Sequence, residues 1–426
     1  MAAVPLLEEL SGSASGRMIG EFAEYTPEGV PAALIEQMDS RPPRKLAIYP
    51  ASAGFELVEE LDYLCARSVE PNIFFNPRFL APAMPRLEDR DVRLAVIRDG
   101  TEYRSRLRLL VPFTIEKPTT PFGVPILRTW SHPFGPLGTP LVDSDDPAGV
   151  IEDFFGMLAR PHLNLPKVFV MPEVRLDGPF AAMVNALAES RNLPLEITNR
   201  MERPYLHSDL GGDDYVKSTL SNHHAGEFRR LRRRLSDLGQ LEYRIARQPD
   251  EVRRGVEEFL ALEASGWKGR ARTAMAIDRF RAAFAREAAH RLAEKDLCRV
   301  HALYLDGRPI ASLVVFVESG CAYTWKTAYD EEYARFSPGM LLMIETTKTH
   351  LEDPNIDATD SCAVPDHPVL SRLWSERRSL GTMVIGLTPG SEALTRRAAS
   401  QLLRDRQTRN MARILRNKVK KAFGKA

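Results

Sequence analysis

Three apolar runs separated by tight turns, followed by a proline-started helix, constrain this chain more than any other feature. Residues 297–305, 309–317 and 321–328 have the length and the β-branched and aromatic content of strands. Asp306-Gly307 joins the first two and is a strong hairpin signal. The third run carries Tyr323, Trp325 and Lys326 and leads to Ser337-Pro338-Gly339-Met340, the expected start of a helix over 338–352. A helix N-terminus presents unpaired N–H donors and the positive end of a dipole, which suits a phosphate. Ser337 is expected to cap it, Pro338 suits its first turn, and Gly339 has no side chain to block a ligand. The same residues would also serve an ordinary helix start after a strand.

The rest of the chain surrounds this unit. At 426 residues it is long enough for two domains plus tails. Residues 1–44 read as a weakly structured arm ending in Arg41-Pro42-Pro43-Arg44. Residues 45–200 alternate strands (45–49, 92–97, 106–113, 167–171) with helices (56–67, 150–158, 180–190), and 130–143 form a long Pro/Gly-rich loop holding His132. Residues 201–390 open with helices over 214–238, 250–266 and 277–294, pass through the three strands and the 338–352 helix, and end in a strand at 382–387. The tail, 391–426, holds eleven Lys or Arg against two acids and places apolar residues near one helical stripe, so it reads as a basic amphipathic helix.

Composition excludes several classes. The net charge of +1 gives no global field toward nucleic acid or membrane, so any such attraction must be local. Cys65, Cys298, Cys321 and Cys362 form no CxxC pair and have no metal-ligand spacing with histidine, which argues against a disulfide framework or structural zinc and fits a reducing cytoplasm. Residues 1–20 lack the basic start and apolar core of a signal peptide, and no run reaches the length of a membrane span. No Walker loop, dinucleotide fingerprint or HExxH zinc motif is present.

Chemistry could sit in four places. Glu263-Ala264-Ser265-Gly266-Trp267-Lys268 ends a helix in a loop. Trp267 could stack on a ligand, Lys268 could pair with an anion, and Glu263 could act as a general base. A helix C-cap with a packing Trp and a solvated Lys explains the same residues. In the third strand, Tyr323, Trp325 and Lys326 could wall a cleft or lie in a sheet core, although lysine is seldom buried unpaired. Asp360-Ser361-Cys362 and His367 share an irregular segment in which Asp360 or His367 could take a proton from an amine held near Ser361. No nucleophile elbow accompanies them, and plain turn structure also fits. The five arginines at 229, 230, 232, 233 and 234 cannot all share one helix face, and read as a solvated surface or an anion site.

At these residues the chain resembles the acetyltransferase-like proteins of the BioF2/CelD type, members of the GNAT superfamily related to the Fem aminoacyl ligases. LEASGWKGRARTA (262–274), AYDEEYARFSPGMLL (328–342) and DSCAVPDHPVLSRLW (360–374) carry the likeness, with support from 130–143 and 231–239. The resemblance covers roughly 45–390. It implies an α/β (α+β) fold of two GNAT-like lobes, each a mixed central sheet flanked by helices, and transfer of an acyl group to an amine, usually from acyl-CoA. Two departures stand out. Arg272-Thr273-Ala274 replaces the relatives' G-T-A, and Arg335-Phe336-Ser337-Pro338-Gly339 replaces the glycine-rich phosphate signature.

The expectation is therefore a metal-free N-acyltransferase using acyl-CoA, such as acetyl-CoA, as co-substrate. Ser337, Pro338, Gly339 and Met340 would hold the donor. Trp267, Lys268, Tyr323, Trp325, Lys326 and Ser361 would bind substrate, and Glu263, Asp360 or His367 would take the proton. The acceptor would be a small-molecule or saccharide amine, in polysaccharide or envelope biosynthesis. An aminoacyl-tRNA-dependent ligase and a non-catalytic scaffold in a polysaccharide synthesis complex stay open beside it. The basic tail suggests weak contact with a partner protein or the inner face of a membrane.

Overall fold

The computed structural model describes residues 4–10, 17–18, 44–88, 90–100, 105–118 and 123–423. Its first half holds strands β1 (Leu7–Leu10), β2 (Arg17–Met18), β3 (Arg44–Pro50), β4 (Arg93–Asp99), β5 (Arg106–Glu116), β6 (Ile126–Thr129), β7 (Leu141–Val142), β8 (Val168–Arg175) and β9 (Leu195–Leu206). Helices α1 (Val58–Arg67), α2 (Pro77–Leu87), α3 (Pro147–Leu158) and α4 (Pro179–Ser190) lie between them. The second half holds α5 (Gly212–Thr219), α6 (Asn222–Ser236), β10 (Leu241–Ala246), α7 (Pro249–Ser265), α8 (Trp267–Arg270) and α9 (Arg279–Ala293). It continues with β11 (Cys298–Leu305), β12 (Arg308–Glu318), β13 (Cys321–Tyr329), α10 (Pro338–Glu352), β14 (Ala358–Asp360), α11 (Leu370–Leu373), β15 (Glu376–Gly386) and α12 (Glu392–Phe423).

All the strands join one mixed sheet, in the order β10-β11-β12-β13-β14-β9-β15-β8-β6-β5-β4-β3-β1-β2, with β7 on β5. Only two neighbouring pairs among the described residues are parallel: β6 with β8 in the first half and β13 with β14 in the second. The centre is a reciprocal exchange. β9 follows β8 in the chain but pairs with β14 of the other half. β15 follows β14 but pairs with β8. β9 and β15 then pair with each other from Leu195↔Ile385 to Tyr205↔Glu376. Each half is a mixed sheet flanked by helices, and each is finished by a strand from the other.

Alternation along the strands decides what each face buries. Val314 and Phe316 of β12 join a core under α1, α2, α7 and α9, while Leu313, Val315 and Val317 join one under α5 and α10. The first of these cores crosses between the halves. Phe79 of α2 meets Phe284 of α9 at 5.1 Å and Phe316 at 5.7 Å, edge to face. Each fully buried phenyl contributes about 1.5–3 kcal/mol.

Several expectations are corrected. The helix expected over 214–238 is two helices, because Ser221 caps a new one by accepting from the His224 N–H at 3.3 Å. α2 forms despite Pro82 and Pro85 in its interior, and Asn76 caps its start. β9 was not expected, and the last strand begins at Glu376 rather than 382. Leu7–Leu10, inside the expected arm, pairs with β3. Arg41, Pro42 and Pro43 lie outside the described residues. Asp306 and Gly307 both have positive φ (48° and 75°), as a two-residue hairpin turn requires. No helix among the described residues is long and apolar enough to cross a membrane.

Candidate active site

The parallel pair β13–β14 is short. Cys321↔Ala358, Ala322↔Thr359 and Tyr323↔Asp360 are in register, and the Thr324 hydroxyl donates to the Ser361 carbonyl at 2.9 Å. Beyond that point the strands diverge. β13 continues to Tyr329, while the chain after Asp360 turns at Cys362, which has φ of 50°. The gap opens a cavity of about 750 Å³ that ends at the start of α10. β13 also bulges here: Val314 pairs with Lys326 and Val315 with Thr324, leaving Trp325 as the extra residue.

Most of the residues singled out in the sequence line this cavity. Trp267, Lys268, Trp325, Lys326, Ser337, Pro338, Gly339, Met340, Ser361 and His367 all face it, from four separate segments. Phe228, Cys362 and Arg372 join them, and local spacing gave no signal for Phe228 or Arg372. The first-half loop after β6 supports two of the lining side chains from outside the cavity. Trp325 Nε1 donates to the Phe134 carbonyl at 2.7 Å, and the Lys326 ammonium lies 4.3 Å from the Phe134 ring centroid.

Three singled-out residues stand behind the wall. Glu263 is buried, and its two oxygens accept from Lys268 Nζ and the Met275 N–H, both at 2.8 Å. It orients Lys268, and each of its oxygens accepts one hydrogen bond. Asp360 is fully buried and accepts from Arg203 Nη2 at 2.6 Å and from the Cys362 N–H at 2.9 Å. Burial pushes its carboxyl up, but the Arg203 and Arg175 guanidiniums outweigh that and hold it below the usual carboxylate range. Tyr323 is buried too; its hydroxyl donates to the Pro71 carbonyl at 2.9 Å and accepts from Arg175 Nη2 at 3.0 Å. Burial raises its phenol well above 10, so it stays protonated.

The helix start also differs from expectation. Ser337 makes no capping hydrogen bond, and its backbone is left-handed (φ 53°, ψ 51°) rather than extended. Its carbonyl instead accepts from the Met340 and Leu341 N–H groups at 3.0 and 3.1 Å. Pro338 occupies the first turn, and Gly339 leaves the approach clear; a Cβ there would meet only the Tyr329 ring, at 3.4 Å.

The electrostatics suit an anionic ligand and a neutral base. Lys268, Lys326 and Arg372 line the cavity, and no Asp or Glu among the described residues does. Burial first, then the Lys268 ammonium, lower the Lys326 pKa to about 8. Burial also lowers that of His367, so its imidazole is neutral at pH 7, with Nδ1 accepting from the Leu370 N–H at 3.3 Å. Burial raises the Cys362 thiol well above its ordinary value, which leaves little thiolate.

Residues 222–360 match the family model for the acetyltransferase (GNAT) domain. A crystal structure of FemX superposes with a TM-score of 0.53 at 8% identity, covering 79% of this chain and 98% of that one. The C-terminal domain of a putative lysylphosphatidylglycerol synthetase from Agrobacterium fabrum gives 0.47 at 12% identity, covering 82% and 97%. A tandem GNAT protein from the clavulanic acid biosynthesis pathway gives 0.39 at 16% identity, covering 81% and 99%. No curated protein matches the chain in sequence.

Proposed function

We propose that this GNAT-type fold is an N-acyltransferase moving an acyl group from acyl-CoA to an amine. The observation that carries the reading is the divergence of β13 from β14 into a cation-lined cleft ending at the α10 N-terminus. The donor's phosphates would lie against Gly339 and the helix start, aided by Lys268, Lys326 and Arg372. Its thioester would reach the bulge at Trp325, where backbone freed from the ladder could bond the developing oxyanion. The amine nitrogen attacks the carbonyl carbon, the C–S bond breaks, and the amine's proton ends on the departing thiolate; for His367 to carry it there, Nδ1 must exchange its bond from the Leu370 N–H for that proton. Burial keeps the Cys362 thiol toward its protonated form, which makes it a poor acyl carrier, and the transfer proposed is direct. A BioF2/CelD-type role on a polysaccharide or envelope amine is consistent with this chemistry.

Thermal-shift titration with acetyl-CoA, longer acyl-CoAs and free CoA tests the donor. At about 100 times Kd the gain should be about 2.7 kcal/mol. Gly339→Asp should remove the shift without unfolding the protein. No shift with any CoA would sink the proposal.

A second reading, an aminoacyl-tRNA-dependent ligase of the Fem kind, draws on one observation. Arg229, Arg230, Arg233 and Arg234 of α6 are exposed, and Phe228 of the same helix lines the cleft. Under that reading tRNA would bind there and weaken steeply as salt rises, whereas acyl-CoA binding would depend on salt far less.

A further inference from the structure

A second cavity, of about 480 Å³, lies on the far side of the segment that walls the cleft. Cys362 and Ala363 line both cavities, so this short stretch is all that the two share as a partition. The second cavity is built from both halves of the molecule over the exchanged strands, with Arg203 from β9 and Thr382 from β15 in its lining.

Its chemistry is donor-rich. Arg128, Arg203 and Arg406 line it, against one acid, Glu173, whose carboxylate accepts from the Ser131 hydroxyl. Arg203 is 1% exposed. Its Nη2 and Nη1 donate to Asp360 and to the Pro136 carbonyl (2.6 and 3.0 Å), but its buried Nε has no partner within the protein. A guanidinium N–H kept from water and left unbonded costs free energy that a bound acceptor atom would recover. His132 adds a neutral donor. Burial lowers its pKa to about 4, and its Nδ1 accepts from the Phe134 N–H at 3.1 Å, so its proton is on Nε2.

We infer that this interlobe cavity holds the acceptor, and that the acceptor is an amine carrying a phosphate or similar anionic group. The anion sits among the arginines, and the amine reaches the thioester past Ala363. This rests on the acyltransferase reading of the neighbouring cleft, and it brings the acceptor to the partition from the face opposite the donor.

Cys362 supplies the reporter, because it is the one partly exposed cysteine among four; its mostly protonated thiol reacts slowly, and protection is read as a further fall in that slow rate. The rate of its modification by N-ethylmaleimide is measured on the full chain, alone, with saturating acetyl-CoA, and with acetyl-CoA plus O-phosphoethanolamine or ethanolamine. Acetyl-CoA should slow the reaction by covering one face. O-phosphoethanolamine should slow it about tenfold further and ethanolamine should not, and Arg406→Glu should abolish the difference. Equal protection by the two amines, no protection by either, or protection that survives Arg406→Glu would overturn the inference. A missing acetyl-CoA effect would instead strike the donor reading, and the phosphoamine arm would still report on this cavity.

Discussion

The two halves of the molecule build the same corner and use it differently. In each, the chain between the two strands of the parallel pair passes through a left-handed residue, a proline and a helix: Asp146-Pro147 before α3 and Ser337-Pro338 before α10. The backbones nearly coincide, with φ, ψ of 50°, 51° at Asp146 and 53°, 51° at Ser337. The first corner is sealed. The Asp146 carboxylate accepts from the Gly149 N–H at 3.3 Å and pairs with buried Arg44 at 2.7 Å, so a negative charge already occupies the dipole end. The connection after β6 folds back over β8, burying Trp130 and bringing Gly138 so close to the Pro172 carbonyl that a Cβ would not fit. The second corner has a serine that does not cap and a shorter connection, and it is open. One backbone geometry can hold a ligand or exclude it, depending on the cap side chain and the length of the preceding loop.

The comparison can be broken in three ways. The largest effect should come from Trp130→Ala, which empties the packing of the connection after β6 against Phe75 and Gly135 and should cost about 3–5 kcal/mol in urea unfolding. It should create no second acyl-CoA site, since Asp146 still seals the helix; calorimetry finding two sites would refute the role given to that carboxylate. Next, Ser337→Asp copies the first corner into the second. Donor affinity should fall at least tenfold, about 1.4 kcal/mol, with the melting temperature in the absence of ligand nearly unchanged. Unaltered affinity would place the phosphates elsewhere. The smallest effect is one of pH. The Lys326 ammonium, with a pKa of about 8, is charged below that value and neutral above it. Donor affinity should therefore decline by about threefold between pH 7 and 9, as one of the three cations lining the cleft loses its charge. Lys326→Arg should flatten the profile, and a wild-type profile already flat would remove Lys326 from donor binding.

Much of the second half was legible in the sequence because its elements are locally decided. The apolar runs, Asp306-Gly307 and Pro338 each carry their own signal, and β11, β12, β13 and α10 lie where periodicity puts them. The first half hides more. β9 reads as polar because Glu196, Arg200, Glu202 and Arg203 punctuate it, and Arg203 makes sense only beside Asp360, far along the chain. α2 carries prolines that argue against a helix until its apolar face is seen packed on α9. At the site, loop and strand-end residues were recognisable by type. That Glu263 and Asp360 would be committed to Lys268 and Arg203 depends on tertiary pairing that no local spacing encodes.

The exchange of β9 and β15 sets a schedule for biogenesis. The first half is translated long before the strand that completes its sheet. At about 5–20 residues per second, the ribosome needs roughly ten to forty seconds to travel from the end of β9 to the end of β15. Through that interval β8 shows an unpaired edge that β15 will later cover. A chain stopped before residue 376 would carry that edge permanently, so truncated products of this protein should be substrates for chaperones and proteases rather than free-standing lobes.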